Sequence, residues 1–402
     1  MPMTQAFTVL LDDLPVGTLR TDARDGCEFS LLRSFRDARP RPTLGQYFLD
    51  DLEHVDHVRL GVPPWFANLL PEGALRELIA EQADVHPARE LYLLALLGED
   101  LPGAVRIRGA VGEAPEAINP PAAADDKAPL KFSLAGIQLK FSARRDQRGL
   151  TIPAHGMGGD WIIKLPDRRY PQVPRNELAT MRWAELSGIE VPRNELIPIA
   201  NIKGLPGSVQ DLAESDAFII KRFDRPSPGR RMHIEDLAQV LSLPPRDKYK
   251  HCNYETLANL MLNIVGVEGL ESFLRRLVFV IASGNGDAHL KNWSLIYPDG
   301  IGAQVAPAYD QISTLAYMNG DSLALNLGKS KDWQRIDRAT FVRLAERLRP
   351  SLEIDLPVPD MIDAAVEDIM SAWTTIERGR EYPPKIADAI RAHLRRVPLL
   401  RA

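Results

Sequence analysis

Residues 286–292 read Gly-Asp-Ala-His-Leu-Lys-Asn and set Asp287 and Asn292 five positions apart, between an apolar helix pattern ending at Ser283 and the strand-like run WSLIY. An Asp and an Asn at that spacing suit phosphoryl transfer. The carboxylate accepts or orients the proton of an attacking hydroxyl, and the amide reaches a magnesium ion bridging the phosphates. His289 and Lys291 offer further charge stabilisation from the same loop. Asp and Asn are also common turn formers, so in isolation the spacing favours a structural loop.

The segment that follows shifts the balance toward chemistry. WSLIY, the turn PDG and GAQVAPAYD form a hairpin pattern whose far strand delivers Asp310, a second ligand for the ion. Kinases place a hairpin at this point between catalytic loop and metal-binding Asp. The other reading of Asp310 is a turn cap before Ile312.

Further upstream, Lys164 lies in WIIKLP among apolar residues, and a buried Lys needs an anionic partner, which ATP phosphates supply. Glu177, thirteen residues on, opens the helical pattern NELATMRWAEL. There it either pairs with Lys164 or favours the positive helix end. Ser133 to Gly136 form a small-residue turn whose backbone N–H groups suit phosphate oxygens. FIIKRFDR reads as a hinge strand with its backbone near Lys221 and Phe223 meeting adenine, or as a plain strand ending in a charged turn.

These residues need two lobes to hold them. Residues 1–108 mix the hairpin pattern TVLLDDLPVGTL with helical segments WFANLLPEGALRELIAEQA and ARELYLLALLGED, giving a small α+β unit. Residues 109–129, rich in Ala and Pro without apolar period, mark a linker or exposed loop. Residues 130–232 hold the strand-like runs LKFSLAG, IQLKFSA, DWIIKLPD and DAFIIKRFD around one helix that ends at Gly188. Residues 233–402 form a helical lobe with the catalytic loop. Its clearest helix carries Leu270, Phe273, Leu274, Leu277, Val278 and Ile281 at helical spacing, and two more begin near Asp360 and Pro384.

Composition limits the function classes. A net charge of -5 argues against a surface built throughout to neutralise nucleic-acid phosphates, so any DNA contact is local or through a partner. The segment 374–402 has seven Lys and Arg against three Asp and Glu; it reads as a solvated helix face or as a contact for acidic partners. Cys27 and Cys252 fit packing rather than a disulfide framework or a zinc site. With neither a basic-then-apolar leader nor a run of 18 apolar residues, the expectation is a cytoplasmic protein without a membrane span.

The motifs SLAGIQLKFS, IIKLP, the Asn-Glu pair at 176 and 177, KRFDR, GDAHLKN and the Tyr-Asp pair at 309 and 310 resemble those of the HipA family. WFANLLPEG and LLGEDLPGAVRI are similar to that family's amino-terminal unit. The resemblance implies an α+β, two-lobed protein-kinase-like fold and an ATP- and magnesium-dependent serine/threonine kinase. It implies a toxin paired with a HipB-type DNA-binding antitoxin, acting on an aminoacyl-tRNA synthetase and on itself at Ser133. Carried onto this sequence, Asp287 is the base, Asn292 and Asp310 hold magnesium, and Lys164 contacts ATP, with Gly136, Ile137, Gln138, Leu139 and Lys140 lining the phosphate loop. Two other readings stand beside it. One is a small-molecule kinase of the aminoglycoside or choline type; the other is a non-catalytic co-repressor that binds the antitoxin.

Overall fold

The computed structural model describes residues 5–21, 26–109, 139–146, 149–152, 158–205, 212, 214–318, 320–348 and 356–401. Three sheets and a helical bundle make an α+β architecture. The first sheet joins β1 (Ala6–Leu11), β2 (Leu14–Thr21), β3 (Cys27–Leu31), β4 (Asp56–Val58) and β5 (Val105–Gly109) in the antiparallel order β4-β3-β2-β1-β5. Alternate residues such as Val9, Leu19 and Phe29 turn inward onto Trp65 and Phe66. The expected hairpin is β1–β2. The helical run after Trp65 is broken: Pro64–Ala67 and Gly73–Gln82 are separate helices. Pro71 disfavours helical backbone at the residue before it and lacks the N–H to continue the ladder.

The second sheet contains β6 (Lys140–Asp146), β7 (Gly149–Thr151), β8 (Trp161–Lys164), β9 (Asn194–Pro198), β10 (Ile202–Lys203) and β11 (Asp216–Lys221), in the order β10-β7-β6-β8-β11-β9. The run LKFSLAG lies outside the described residues. The helix Val173–Leu186 packs on this sheet and ends where Gly188 takes φ +74°, a left-handed value that suits glycine. Register matters for the chemistry. Lys164 of β8 lies directly opposite Lys140 of β6 and Phe218 of β11, so both lysines emerge on one face.

The helical lobe is built around Val267–Ser283, where all six residues of the expected apolar stripe are buried and the helix stops at left-handed Gly284. Helices Tyr254–Ile264, Val358–Gly379 and Pro384–Leu394 pack directly on it, and Arg338–Leu348 packs on Val358–Gly379. A small sheet, β12 (His233–Asp236), β13 (Ser294–Tyr297) and β14 (Gln304–Val305), carries the hairpin. Its far strand ends at Val305, so Asp310 stands beyond the sheet rather than on it. Among the described residues no helix is long and apolar enough to cross a membrane.

Candidate active site

Two cross-strand ammonium groups repel one another unless an anion lies between them. Here that anion is Asp310. Lys140 Nζ donates to Asp310 Oδ2 at 3.0 Å, and Lys164 Nζ donates to Asp310 Oδ1 and to Glu177 Oε1. Glu177 sits in the second turn of its helix, not at the start, and its carboxylate meets Lys164. Of its two sequence readings, the side-chain pair is the one the geometry contains. Burial works against the Lys164 charge, yet Asp310 and Glu177 outweigh it and hold the ammonium pKa above the ordinary lysine value. Burial likewise opposes the Asp310 charge, but Lys140 and Lys164 hold that carboxyl far below the usual range. Asp310 also adopts φ +53°, a strained value for a residue with a side chain, of the kind that collects at functional sites.

The loop that carries Asp287 is joined to this cluster through one amide. Asn285 Oδ1 accepts the Asp287 N–H at 3.1 Å, and Asn285 Nδ2 donates to the Asp310 carbonyl at 3.4 Å. Asn285 is fully buried and absent from the sequence-derived set. The neighbouring glycine has a steric reason: a Cβ at Gly286 would meet Asp321 Oδ1 at 2.1 Å. Asp321 is itself an unforeseen carboxyl beside Asp287. Burial foremost pushes its pKa up to about 6 against bonds from Thr314 and Ser322, and the Asp287 charge adds to the rise. Tyr249 donates its hydroxyl to Asp287, and its ring meets His289 edge-on at 5.0 Å. Asn176 bonds Ser313 in both directions, at 2.8 and 3.3 Å, which ties the Glu177 helix to the segment after Asp310.

Other expected residues are engaged differently. Asn292 is buried in the loop. His289 is buried and its pKa falls well below the ordinary value, first through burial and then through Lys248, so it is neutral. Lys291 turns to the amino-terminal unit, bonding the Asn68 carbonyl at 2.8 Å and pairing with Glu72 at 3.2 Å. Lys221 pairs with Asp160 at 2.9 Å and spends its N–H on the Arg193 carbonyl. Phe223 faces Tyr309 at 5.7 Å between centroids. Leu139 accepts the Leu165 N–H at 3.1 Å. Ser133, Gly136, Ile137 and Gln138 lie outside the described residues.

The charges of KRFDR have a separate use. Arg222 reaches Asp100 and Asp224 at 2.8 Å each, Arg225 reaches Asp224 at 2.7 Å, and Asp224 accepts the Gly103 N–H at 2.9 Å. This buried network fastens the segment after β11 to the amino-terminal unit.

Residues 7–108 match the profile of the HipA N-terminal domain, and residues 132–373 match that of the HipA-like C-terminal domain. The chain belongs to the HipA family. This HipA-family chain is 39% identical, over 100% of its length and 99% of the relative's, to Y4dM of Sinorhizobium fredii, which bears the name of a kinase. It is 24% identical over 63% of each chain to a protein of Shewanella oneidensis named serine/threonine-protein kinase toxin HipA. Among solved structures it resembles the Shewanella oneidensis complex of HipA, HipB and operator DNA, with a TM-score of 0.75 at 20% identity over 97% of this chain and 96% of that one. That likeness fixes the fold as α+β and kinase-like.

Proposed function

We propose that this HipA-family chain is an ATP- and magnesium-dependent serine/threonine protein kinase, the cytoplasmic toxin of a pair with a HipB-type DNA-binding antitoxin. The observation that carries the reading is the Lys164 ammonium shared by Glu177 and Asp310, directly opposite Lys140. A structural loop has no need of two lysines, one of them buried, focused on one carboxylate.

In this reading Asp287, oriented by Tyr249, accepts the proton of the attacking hydroxyl. Asn292 and Asp310 would hold magnesium. Their donors fit: one carboxylate that stays charged and one neutral amide are oxygen ligands of the type magnesium takes, with water and phosphate completing its shell. Among the described residues there is no group of three or more His, Cys, Asp or Glu that could hold an ion. Magnesium, when bound, neutralises charge on the phosphate oxygens. Lys164 and Lys140 would meet those oxygens, together with Leu139 and, as the resemblance implies, Gly136, Ile137 and Gln138, while the backbone near Lys221 and Phe223 would meet the adenine. His289 and Lys291, expected to add charge at the nucleotide, are neutral and paired with Glu72 respectively, and so would support the loop rather than the phosphates.

The Shewanella oneidensis relative's name supports serine/threonine transfer and toxicity, and the solved complex supports an antitoxin partner. With a net charge of -5, DNA is reached through the antitoxin. The targets are a translation component, such as an aminoacyl-tRNA synthetase, and Ser133 of the chain itself. A phosphate at Ser133 would repel nucleotide phosphates from the same turn.

Incubation with labelled ATP and a cell lysate, followed by identification of the labelled protein, tests the reading. Asp287→Ala is expected to lose at least about 10²-fold in transfer with its circular dichroism unchanged. Full residual transfer in that variant counts decisively against the assignment.

A further inference from the structure

Arg276 lies in the central helix of the helical lobe and is 2% exposed. Its Nη2 donates to the Asn292 carbonyl at 2.6 Å. The guanidinium carbon stands 4.7 Å from the Trp293 ring centre and 5.8 Å from that of Tyr309. Trp293 directly follows Asn292, and Tyr309 directly precedes Asp310. Arg276 Nε and Nη1 are buried without a hydrogen-bond partner among the described residues.

A guanidinium in the interior without a carboxylate is an expensive way to fill space, and an apolar side chain of similar volume serves folding at least as well. An arginine keeps its proton inside a protein, so this is a buried cation. Its two ring contacts use the faces of Trp293 and Tyr309 as partners. Tyr309 completes the bridge, donating to the Lys291 carbonyl at 2.9 Å while its oxygen meets Ser294 Oγ at 2.5 Å. Two segments, distant in sequence, are thereby gripped by one planar cation.

We propose that Arg276 is a positioning residue that sets the spacing between Asn292 and Asp310, the two proposed magnesium ligands. The proposal rests on the phosphoryl-transfer reading above. It acts through backbone and neighbouring rings and touches neither substrate nor ion.

The test measures manganese binding to the full chain by electron paramagnetic resonance, in the presence of a non-hydrolysable ATP analogue. Loss of an outer-shell partner weakens metal binding by roughly 10–100-fold, so Arg276→Met is expected near the lower end, about 10-fold. Arg276→Lys, which keeps the charge and one donor, should fall between wild type and Arg276→Met. Nucleotide binding without metal stays as in the wild type, and transfer lost in Arg276→Met returns at high magnesium. A purely structural role would not move the metal requirement apart from nucleotide affinity. Unchanged or tighter manganese binding in Arg276→Met overturns the proposal. Should that variant not fold, Arg276→Lys decides, and wild-type manganese affinity there overturns it equally. If the wild-type chain with nucleotide binds no manganese, the phosphoryl-transfer reading itself falls and takes the proposal with it.

Discussion

Replacing Lys164 by Met keeps the length of the side chain and deletes the ammonium that Glu177 and Asp310 share. Asp310 retains Lys140 at 3.0 Å, so the group left stranded is Glu177, only 2% exposed. A carboxyl in that position protonates instead of carrying an uncompensated charge. Neutralising a glutamate of ordinary pKa near 4.3 at pH 7 costs about 4 kcal/mol, because each pH unit is worth 1.36 kcal/mol. That ceiling agrees with the roughly 3–5 kcal/mol lost when one partner of a buried pair is removed. At pH 5.5 the same neutralisation costs about 2 kcal/mol. In the wild type the raised Lys164 pKa contributes stability that is full below the ordinary lysine range and lost only as pH rises through the folded value. The lysine therefore adds no slope between pH 5.5 and 7, whereas burial already holds the Glu177 carboxyl above its ordinary value against the pull of Lys164, and losing the ammonium steepens the slope that this carboxyl gives. Urea unfolding of wild type and Lys164→Met at both pH values should show a stability loss that shrinks on acidification, by at most about half. Adding Glu177→Gln should remove most of it. A loss that ignores pH, or that survives Glu177→Gln, would refute the reasoning.

Three further outcomes are expected. Ser133→Ala should keep transfer to the protein target and lose self-labelling; mass spectrometry finding the same self-phosphorylation would move the modified position elsewhere. Asp224→Ala should cost roughly 3–5 kcal/mol in urea unfolding, because Arg222 and Arg225 remain buried without their shared carboxylate; a loss below about 1 kcal/mol would mean the network is not holding the segment after β11 to the amino-terminal unit. Asp321, pushed up to about 6, resists ionisation in the fold, so stability falls as pH rises above the ordinary carboxyl range toward neutrality. Asp321→Asn should flatten the melting temperature between pH 5 and 7, and an unaltered slope would place that titration on another group.

What was legible in the sequence was local. The apolar period of Leu270 to Ile281 and the apolar run around Lys164 in WIIKLP are set by which faces must be dry, and both elements formed where those patterns lie. Asp287 and Asn292 announce themselves because six consecutive residues carry the signal. Asn285, Tyr249, Asp321 and Arg276 do not, since each acts through a contact made only when distant segments meet: Tyr249 reaches 38 positions to Asp287, and Asn285 reaches 25 to Asp310. The contacts of KRFDR were hidden for a related reason. Charged residues after a strand usually face water, whereas Arg222, Asp224 and Arg225 are buried against residues 100–103, more than 120 positions earlier. Lys291 shows the same limit, because its spacing beside Asn292 says nothing of Glu72.

The cluster's charge balance links these observations to the proposed chemistry. Lys140 and Lys164 offset Glu177 and Asp310, so the four side chains sum to a formal charge of zero. A neutral cluster has no surplus attraction for nucleotide phosphates, and interior repulsion between phosphate and Asp310 is too strong to leave unscreened. The phosphate must arrive with its own cation, or one lysine must let go of Asp310. Lys140 is the group placed to do so: its side chain is 27% exposed against 4% for Lys164, and among the described residues its ammonium makes one contact, at 3.0 Å. Lys164, locked between two carboxylates, keeps its place. The two lysines, adjacent in the sheet and alike in charge, are thus unequal in role: one holds the cluster together, and the other can turn toward the phosphate.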